Sequence, residues 1–283
     1  MIRNYRELGL KDFTNGNARE YMEGRIEMSD AGVSDERYDP FGARKSDLVD
    51  FMTFLLFFYK FYFRTDVTGL ENLPEDGPGL IVANHAPILP VDGMMIGVAA
   101  MVEPERPRLV RAIISRNFAQ TPFFSALMSR IGQVTGSDDN VRRIFENRHL
   151  MLVFPTGSKE GPHSIFNRYR LDEFQVGFME YALKYGTPVI PAAVVGSEEA
   201  AMMLGKLKLN VFGFKTIPLT PVFPWFGLAG LMPFPAKFRI RFGTPVDYYT
   251  DRGADVNDPA KVRELVQDLR SRLQVMLDED AGR

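Results

Sequence analysis

A chain of 283 residues with 45% hydrophobic and 25% charged residues has the make-up of an ordinary globular protein built around one large domain. Its formal net charge of −2 argues against a general nucleic-acid binder. With no cysteine and three histidines (His85, His149, His163), it has no disulfides, thiolate nucleophile or cysteine-held metal, and a histidine-rich metal site is not expected.

Residues 1–45 are polar, nearly balanced in charge and weak in helical periodicity, and they read as a loosely attached N-terminal extension. The opening MIRNYRELGLKDF lacks the apolar core of a signal peptide, so the protein is expected to stay on the cytoplasmic side. No run of 18 uncharged apolar residues suits an ordinary membrane span.

Residues 46–64 form the first unusual segment. Within Phe51–Phe63, FMTFLLFFYKFYF, 8 of 13 residues are aromatic. As a helix, this segment gathers Asp50, Thr53, Lys60 and Arg64 near one stripe and is apolar elsewhere, so it belongs in a protein core or at a lipid surface. The density of aromatics, with Tyr59, Tyr62, Lys60 and Arg64 suited to a headgroup boundary, favours the membrane interface.

From residue 65 onward, apolar runs alternate with helical patterns. Strands are expected at Thr65–Gly69, in LIVANH (80–85), and at Leu109–Ile114, Leu150–Phe154, Val189–Val195 and Phe238–Phe242; helices are expected near 92–102, 121–131, 138–147, 174–185 and 258–277. The alternation predicts an α/β domain over 65–283, a mostly parallel sheet with helices on both faces. A second unusual segment interrupts it. Ala200–Val246 contains no Asp or Glu, carries Lys206, Lys208, Lys215, Lys237, Arg239 and Arg241, and holds the sole tryptophan, Trp225. Prolines at 218, 221, 224, 233 and 235 predict an irregular apolar loop over 206–236 suited to an anionic phospholipid surface.

Chemistry is expected where LIVANH ends. Ligands gather at the carboxyl ends of strands in open α/β sheets. His85 stands at such an end, and Asp92 opens the following helix. Histidine can take and return a proton near neutral pH, and a carboxylate on its far nitrogen would orient it. A bare pair of this kind is equally a helix N-cap beside a satisfied histidine.

The wider pattern is more specific. Asn84-His85, Asp92 at a helix start, Phe154-Pro155-Thr156-Gly157 after a strand, and Val189-Ile190-Pro191-Ala192 follow one another in order. Together with the lead-in VTGLENLPEDGPGLIVANH, these blocks resemble the glycerolipid and lysophospholipid acyltransferase superfamily, which includes the bacterial 1-acylglycerol-3-phosphate acyltransferases, over roughly residues 65–245. The resemblance implies His85 as general base, Asp92 as its orienting partner, and a second block around Ser115–Phe124 with Gly132 at the following turn. It also implies transfer from an acyl-CoA or acyl-carrier-protein thioester to a hydroxyl of a glycerol phosphate or lysophospholipid at a membrane surface. No metal or cofactor is needed, since the thioester is a co-substrate. Two departures stand out. Six residues separate His85 from Asp92 where the family commonly has four, and Thr156 and Lys159 occupy the family's glutamate and arginine positions.

The same resemblance puts Thr156 and Lys159 at the acceptor's polar head; Lys159, Arg168 and Arg170, three cations within twelve residues with His163 between them, and the backbone amide at Gly157 would suit an anionic headgroup. Phe54, Phe58, Tyr59, Trp225 and Phe226 would meet the membrane, giving a peripheral or monotopic protein. Two alternatives remain at this stage: a non-catalytic lipid-binding relative, and a thioesterase or lipid hydrolase using water. No Gly-x-Ser-x-Gly elbow is present, which argues against a serine hydrolase.

Overall fold

The apolar runs form strands whose side chains divide between two helical layers. The computed structural model describes residues 4–86, 90–114, 128, 130–156, 168–201, 205–207, 217–219, 221, 225, 230, 232–250 and 255–282. In chain order the strands are β1 (Asp66–Thr68), β2 (Gly79–Ala83), β3 (Val110–Ile114), β4 (Val134–Thr135), β5 (Leu150–Val153), β6 (Val189–Val195), β7 (Gly205–Leu207), β8 (Ile217–Leu219) and β9 (Arg239–Phe242). The helices are α1 (Asn17–Met28), α2 (Lys45–Phe57), α3 (Val91–Val102), α4 (Asp138–Glu146), α5 (Gly177–Tyr185), α6 (Ser197–Ala200) and α7 (Pro259–Ala281). The main sheet has the order β1-β9-β6-β2-β5-β3-β4. Every neighbouring pair is parallel except β6 with β9.

Central strands alternate strictly between the layers. Ile81, Ala83, Leu150, Leu152, Ile190, Ala192 and Val194 pack with α1, α2 and α3. Leu80, Val82, Met151, Val189, Ala193 and Val195 pack with α4, α5 and α7. The helix expected at 258–277 runs four residues further, and its stripe from Val262 to Leu277 is buried. Most of the helix expected at 121–131, and the block Ser115–Phe124, lie outside the described residues.

The N-terminal segment is not loosely attached. Tyr5, Leu8, Ala18, Tyr21, Met22, Ile26 and Ala31 are all buried in the first layer. Its helix looked weak in sequence because the inward stripe of α1 is made of Ala, Tyr and Met rather than strong hydrophobes. Polar ties reinforce the packing. Glu103, at the end of α3, accepts from the Tyr5 hydroxyl at 2.5 Å and the Tyr59 hydroxyl at 2.8 Å, and burial pushes the Tyr5 phenol up to about 12. Asp30 accepts from Arg108 Nε and Leu109 N, each at 2.7 Å.

A buried ion pair joins the N-terminal segment to the sheet. Arg111, on β3, is fully buried and pairs with the buried Asp39 carboxylate at 2.6 Å. Its guanidinium also donates to Gly132 O at 3.1 Å and lies 4.2 Å from the Phe41 ring centroid. Burial drives the pKa of this guanidinium down, and the charge of Asp39 opposes that shift. Gly132, at φ 78°, leaves room for the guanidinium, since a Cβ there would lie 2.9 Å from Arg111 Nη1.

The aromatic helix divides between core and surface. Leu48, Val49, Met52, Leu55 and Leu56 face inward, and a π-turn at Phe58–Tyr62 continues the buried stripe with Tyr59. Tyr59 is fully buried and therefore does not meet a membrane, contrary to the sequence reading. Lys60 is likewise turned inward: its Nζ donates to the carbonyls of Tyr5 and Arg6 at 2.9 and 2.7 Å and also to that of Leu8. The Tyr62 hydroxyl donates to Pro233 O at 2.6 Å.

The outward side of this helix is aromatic too. Phe54 is 59% exposed and touches Phe58, which touches Phe57, while Phe13 packs edge-on against Phe57 and Phe61. Within the expected loop at 206–236, β7 and β8 form an antiparallel pair in which Pro218 opposes Lys206. A two-stranded sheet consists of edges, where proline is tolerated. Two cations assigned to that loop's border serve the fold instead: Lys237 pairs with Asp66 at 2.5 Å, and Arg241 with Glu279 and Asp280 at 2.9 and 2.8 Å.

Replacing Asp39 by Ala strands a buried guanidinium. The expected result is a loss of about 3–5 kcal/mol of stability, read from urea unfolding.

Candidate active site

Three adjacent strands, β5, β2 and β6, release the chain at one edge of the sheet. The last paired residue of β2 is Ala83, opposite Ala192 of β6. Asn84 then extends the ladder with its side chain. Its Nδ2 donates to Val194 O and its Oδ1 accepts from Val194 N, both at 2.8 Å. This two-point bond fixes the backbone immediately before His85.

His85 and Asp92 meet. His85 Nδ1 lies 3.0 and 2.9 Å from Asp92 Oδ1 and Oδ2. Asp92 is completely buried in the first turn of α3, where the helix N-terminus favours negative charge. Oδ2 accepts from Ala86 N at 2.7 Å and Oδ1 from Gly93 N at 2.8 Å. An imidazole N–H at Nδ1 would donate to this carboxylate and leave the ring's lone pair on Nε2. Despite the longer spacing, Ala86, the first residue after His85, donates its N–H to the same carboxylate.

Sequence reasoning assigned no role to three neighbours. Besides Asn84, Phe154 stacks on the His85 ring, with centroids 4.4 Å apart and planes 27° from parallel. Gly93 faces that phenyl ring closely, and a Cβ there would lie 3.0 Å from Phe154 Cζ. The signal available in sequence was Phe154 following a strand that neighbours β2.

The expected headgroup residues divide differently. Thr156 is buried past the carboxyl end of β5, where the carbonyl of Pro155 accepts from Gln175 N at 2.9 Å. Gly157, Lys159, His163 and Phe226, the last expected at the membrane, lie outside the described residues. Arg168 stands 3.7 Å from Glu199, so an internal acid shares its charge, and Arg170 is exposed. Between them Tyr169 fastens the segment to the turn after β6. Its hydroxyl donates to Glu199 and accepts from Gly196 N at 2.7 Å, its backbone N–H reaches Glu198 at 3.0 Å, and burial raises the phenol well above its ordinary value. Among the described residues no three His, Asp or Glu side chains converge as a metal site would require.

Residues 64–195 match the family model described as Acyltransferase, a span that contains β2, His85, Asp92 and Phe154. This segment is an acyltransferase-family domain.

An uncharacterized protein of Mycobacterium leprae is 39% identical over 228 residues, covering 79% of this chain and 62% of its own length. A human protein named "DGAT1/2-independent enzyme synthesizing storage lipids" is 26% identical over 215 residues, covering 76% of this chain and 61% of its own. The chain thus spans about three-fifths of the length of the curated relatives it matches. The crystal structure of the 1-acyl-sn-glycerophosphate acyltransferase PlsC from Thermotoga maritima has the same fold. It superposes with a TM-score of 0.56 at 17% identity, covering 97% of this chain and 99% of that one.

In this acyltransferase-family domain the Asn84 amide satisfies two buried backbone groups. Asn84→Ala is expected to cost about 1–3 kcal/mol, measured by denaturant unfolding, because the Val194 N–H and C=O lose their partners.

Proposed function

We propose that this protein is an O-acyltransferase that moves a fatty acyl chain from an acyl-CoA or acyl-carrier-protein thioester to the hydroxyl of a glycerolipid acceptor. The observation carrying this reading is the His85–Asp92 pair, held at the carboxyl edge of the central strands inside the acyltransferase match.

In the proposed reaction, His85 Nε2 removes the acceptor's hydroxyl proton as that oxygen attacks the thioester carbonyl. Asp92 stabilises the imidazolium that forms. The tetrahedral intermediate then collapses, the C–S bond breaks, and the departing sulfur takes the proton back from His85. Ester and free thiol are the products, and neither a metal nor an acyl-enzyme is needed.

The acceptor class is a glycerol phosphate or lysophospholipid, as the sequence resemblance implies. The human relative's printed name concerns storage lipids, so an acceptor panel should also contain mono- and diacylglycerols. Water as acceptor would make the protein a thioesterase, seen as thiol release that no lipid acceptor accelerates.

The same reading seats the protein on the cytoplasmic face of a membrane as a peripheral or monotopic protein. The outward aromatic side of α2 supports it, as do Trp225, 82% exposed, and Leu10, 62% exposed. Among the described residues no helix is long and apolar enough to cross a membrane.

His85→Ala is expected to lower thiol release from a long-chain acyl-CoA by about 10²–10⁴-fold in a folded protein. Asp92→Asn should lose a comparable factor by favouring the wrong tautomer. Undiminished turnover in either variant removes the proposed base. Phe54→Glu combined with Trp225→Glu should weaken sedimentation with anionic phospholipid vesicles by about tenfold or more, since each ring withdrawn from lipid forfeits about 1.5–3 kcal/mol.

A further inference from the structure

A hydrogen bond to one ring nitrogen anchors an imidazole at its edge and leaves both faces of the ring available to other contacts. Asp92 holds His85 in this way at Nδ1. The lone pair of Nε2 lies in the ring plane, so the tilt of the ring decides where it points.

The neighbouring strand supplies a contact on the ring face. β5 runs parallel to β2 with Val153 opposite Val82. The next residue, Phe154, lays its ring over the imidazole at a centroid distance of 4.4 Å and an interplanar angle of 27°. The contact covers one face of the histidine. It also presents the electron-rich face of a phenyl ring to the imidazolium that proton transfer would create.

Gly93 makes this seat available. A Cβ at position 93 would lie 3.0 Å from Phe154 Cζ, 3.2 Å from Cε2 and 3.4 Å from Leu152 Cδ2. The backbone of Gly93 is ordinary helix, within α3, so glycine is not needed there for its conformational freedom. Helices favour alanine over glycine by about 1 kcal/mol. The residue gives up helical preference for space, and the space is filled by the ring resting on His85.

We propose that Phe154 is a positioning residue for His85, setting the plane of the imidazole while Asp92 sets its in-plane anchor, with Gly93 as the permissive contact. The proposal rests on the acyltransferase reading only for its effect on turnover, and the ring geometry is testable apart from it.

The test compares Phe154→Leu, Phe154→Tyr and Gly93→Ala with the parent protein. Because the chain has three histidines, the His85 ring protons can be assigned by NMR from single substitutions. A stacked phenyl face shields those protons, so they should move downfield in Phe154→Leu and return toward parent values in Phe154→Tyr. With a productive donor and acceptor, Phe154→Leu should lower kcat by about 10–100-fold, as a slightly misplaced base does, and KM for the acyl donor should change by less than about two-fold. Tyrosine should restore most of kcat, whereas Gly93→Ala, which displaces the ring without removing it, should reproduce part of the loss.

Unmoved His85 resonances in Phe154→Leu overturn the proposal, as does a kcat within about two-fold of the parent. So does a tyrosine variant as slow as leucine. If His85→Ala retains full turnover while the ring protons respond as expected, the proposed base fails and the seat stands. If His85→Ala is inactive and Phe154→Leu is unimpaired, the positioning role alone fails. Should no acceptor support turnover, the ring-proton shifts decide the matter.

Discussion

Asp92 is a carboxylate with no exposure to water, and the candidate site is organised around compensating that burial. Two backbone amides, the start of a helix and an imidazole N–H supply the compensation. An unpaired charge at that depth would cost several kcal/mol, so the contacts that His85, Ala86 and Gly93 make with the carboxylate hold this end of the sheet together.

The sheet turns this local requirement into an oriented site. Asn84 borrows the hydrogen bonding of β6 to hold the chain before His85, and Phe154 arrives from β5 to cover the ring. Each neighbour of β2 contributes one contact, so registry errors between strands would disturb the histidine directly. At the opposite edge, Arg108 collects the carbonyls of Pro74, Gly77 and Arg148 and pairs with Asp30. The two ends of the central strands therefore do different work, one fastening the chain and the other presenting side chains.

Much of this was legible in the sequence. Continuous apolar runs such as Leu80–Ala83 and Val189–Val195 announced buried parallel strands, and the Val262–Leu277 stripe announced the last helix. The pairing of His85 with Asp92 was legible as a motif, although its geometry was not. What escaped detection were features that depend on contacts far apart in sequence. Nothing local marks Arg111, inside the expected strand Leu109–Ile114, as the partner of Asp39 and Phe41. Tyr59 and Lys60 read as interface anchors because nothing local shows Glu103 or the Tyr5–Leu8 carbonyls beside them. Gly93 looks like a minor flaw in a helix until the Phe154 ring is seen against it.

The grip of Lys60 on the carbonyls of Tyr5, Arg6 and Leu8 has a practical corollary. The family match begins at residue 64, after both N-terminal helices. A fragment cut at that limit would keep the histidine, its carboxylate and α3 but lose α1 and α2, thinning the layer that covers Ile81, Leu152 and Ile190. The bounds of the family match are therefore not the bounds of the folded unit.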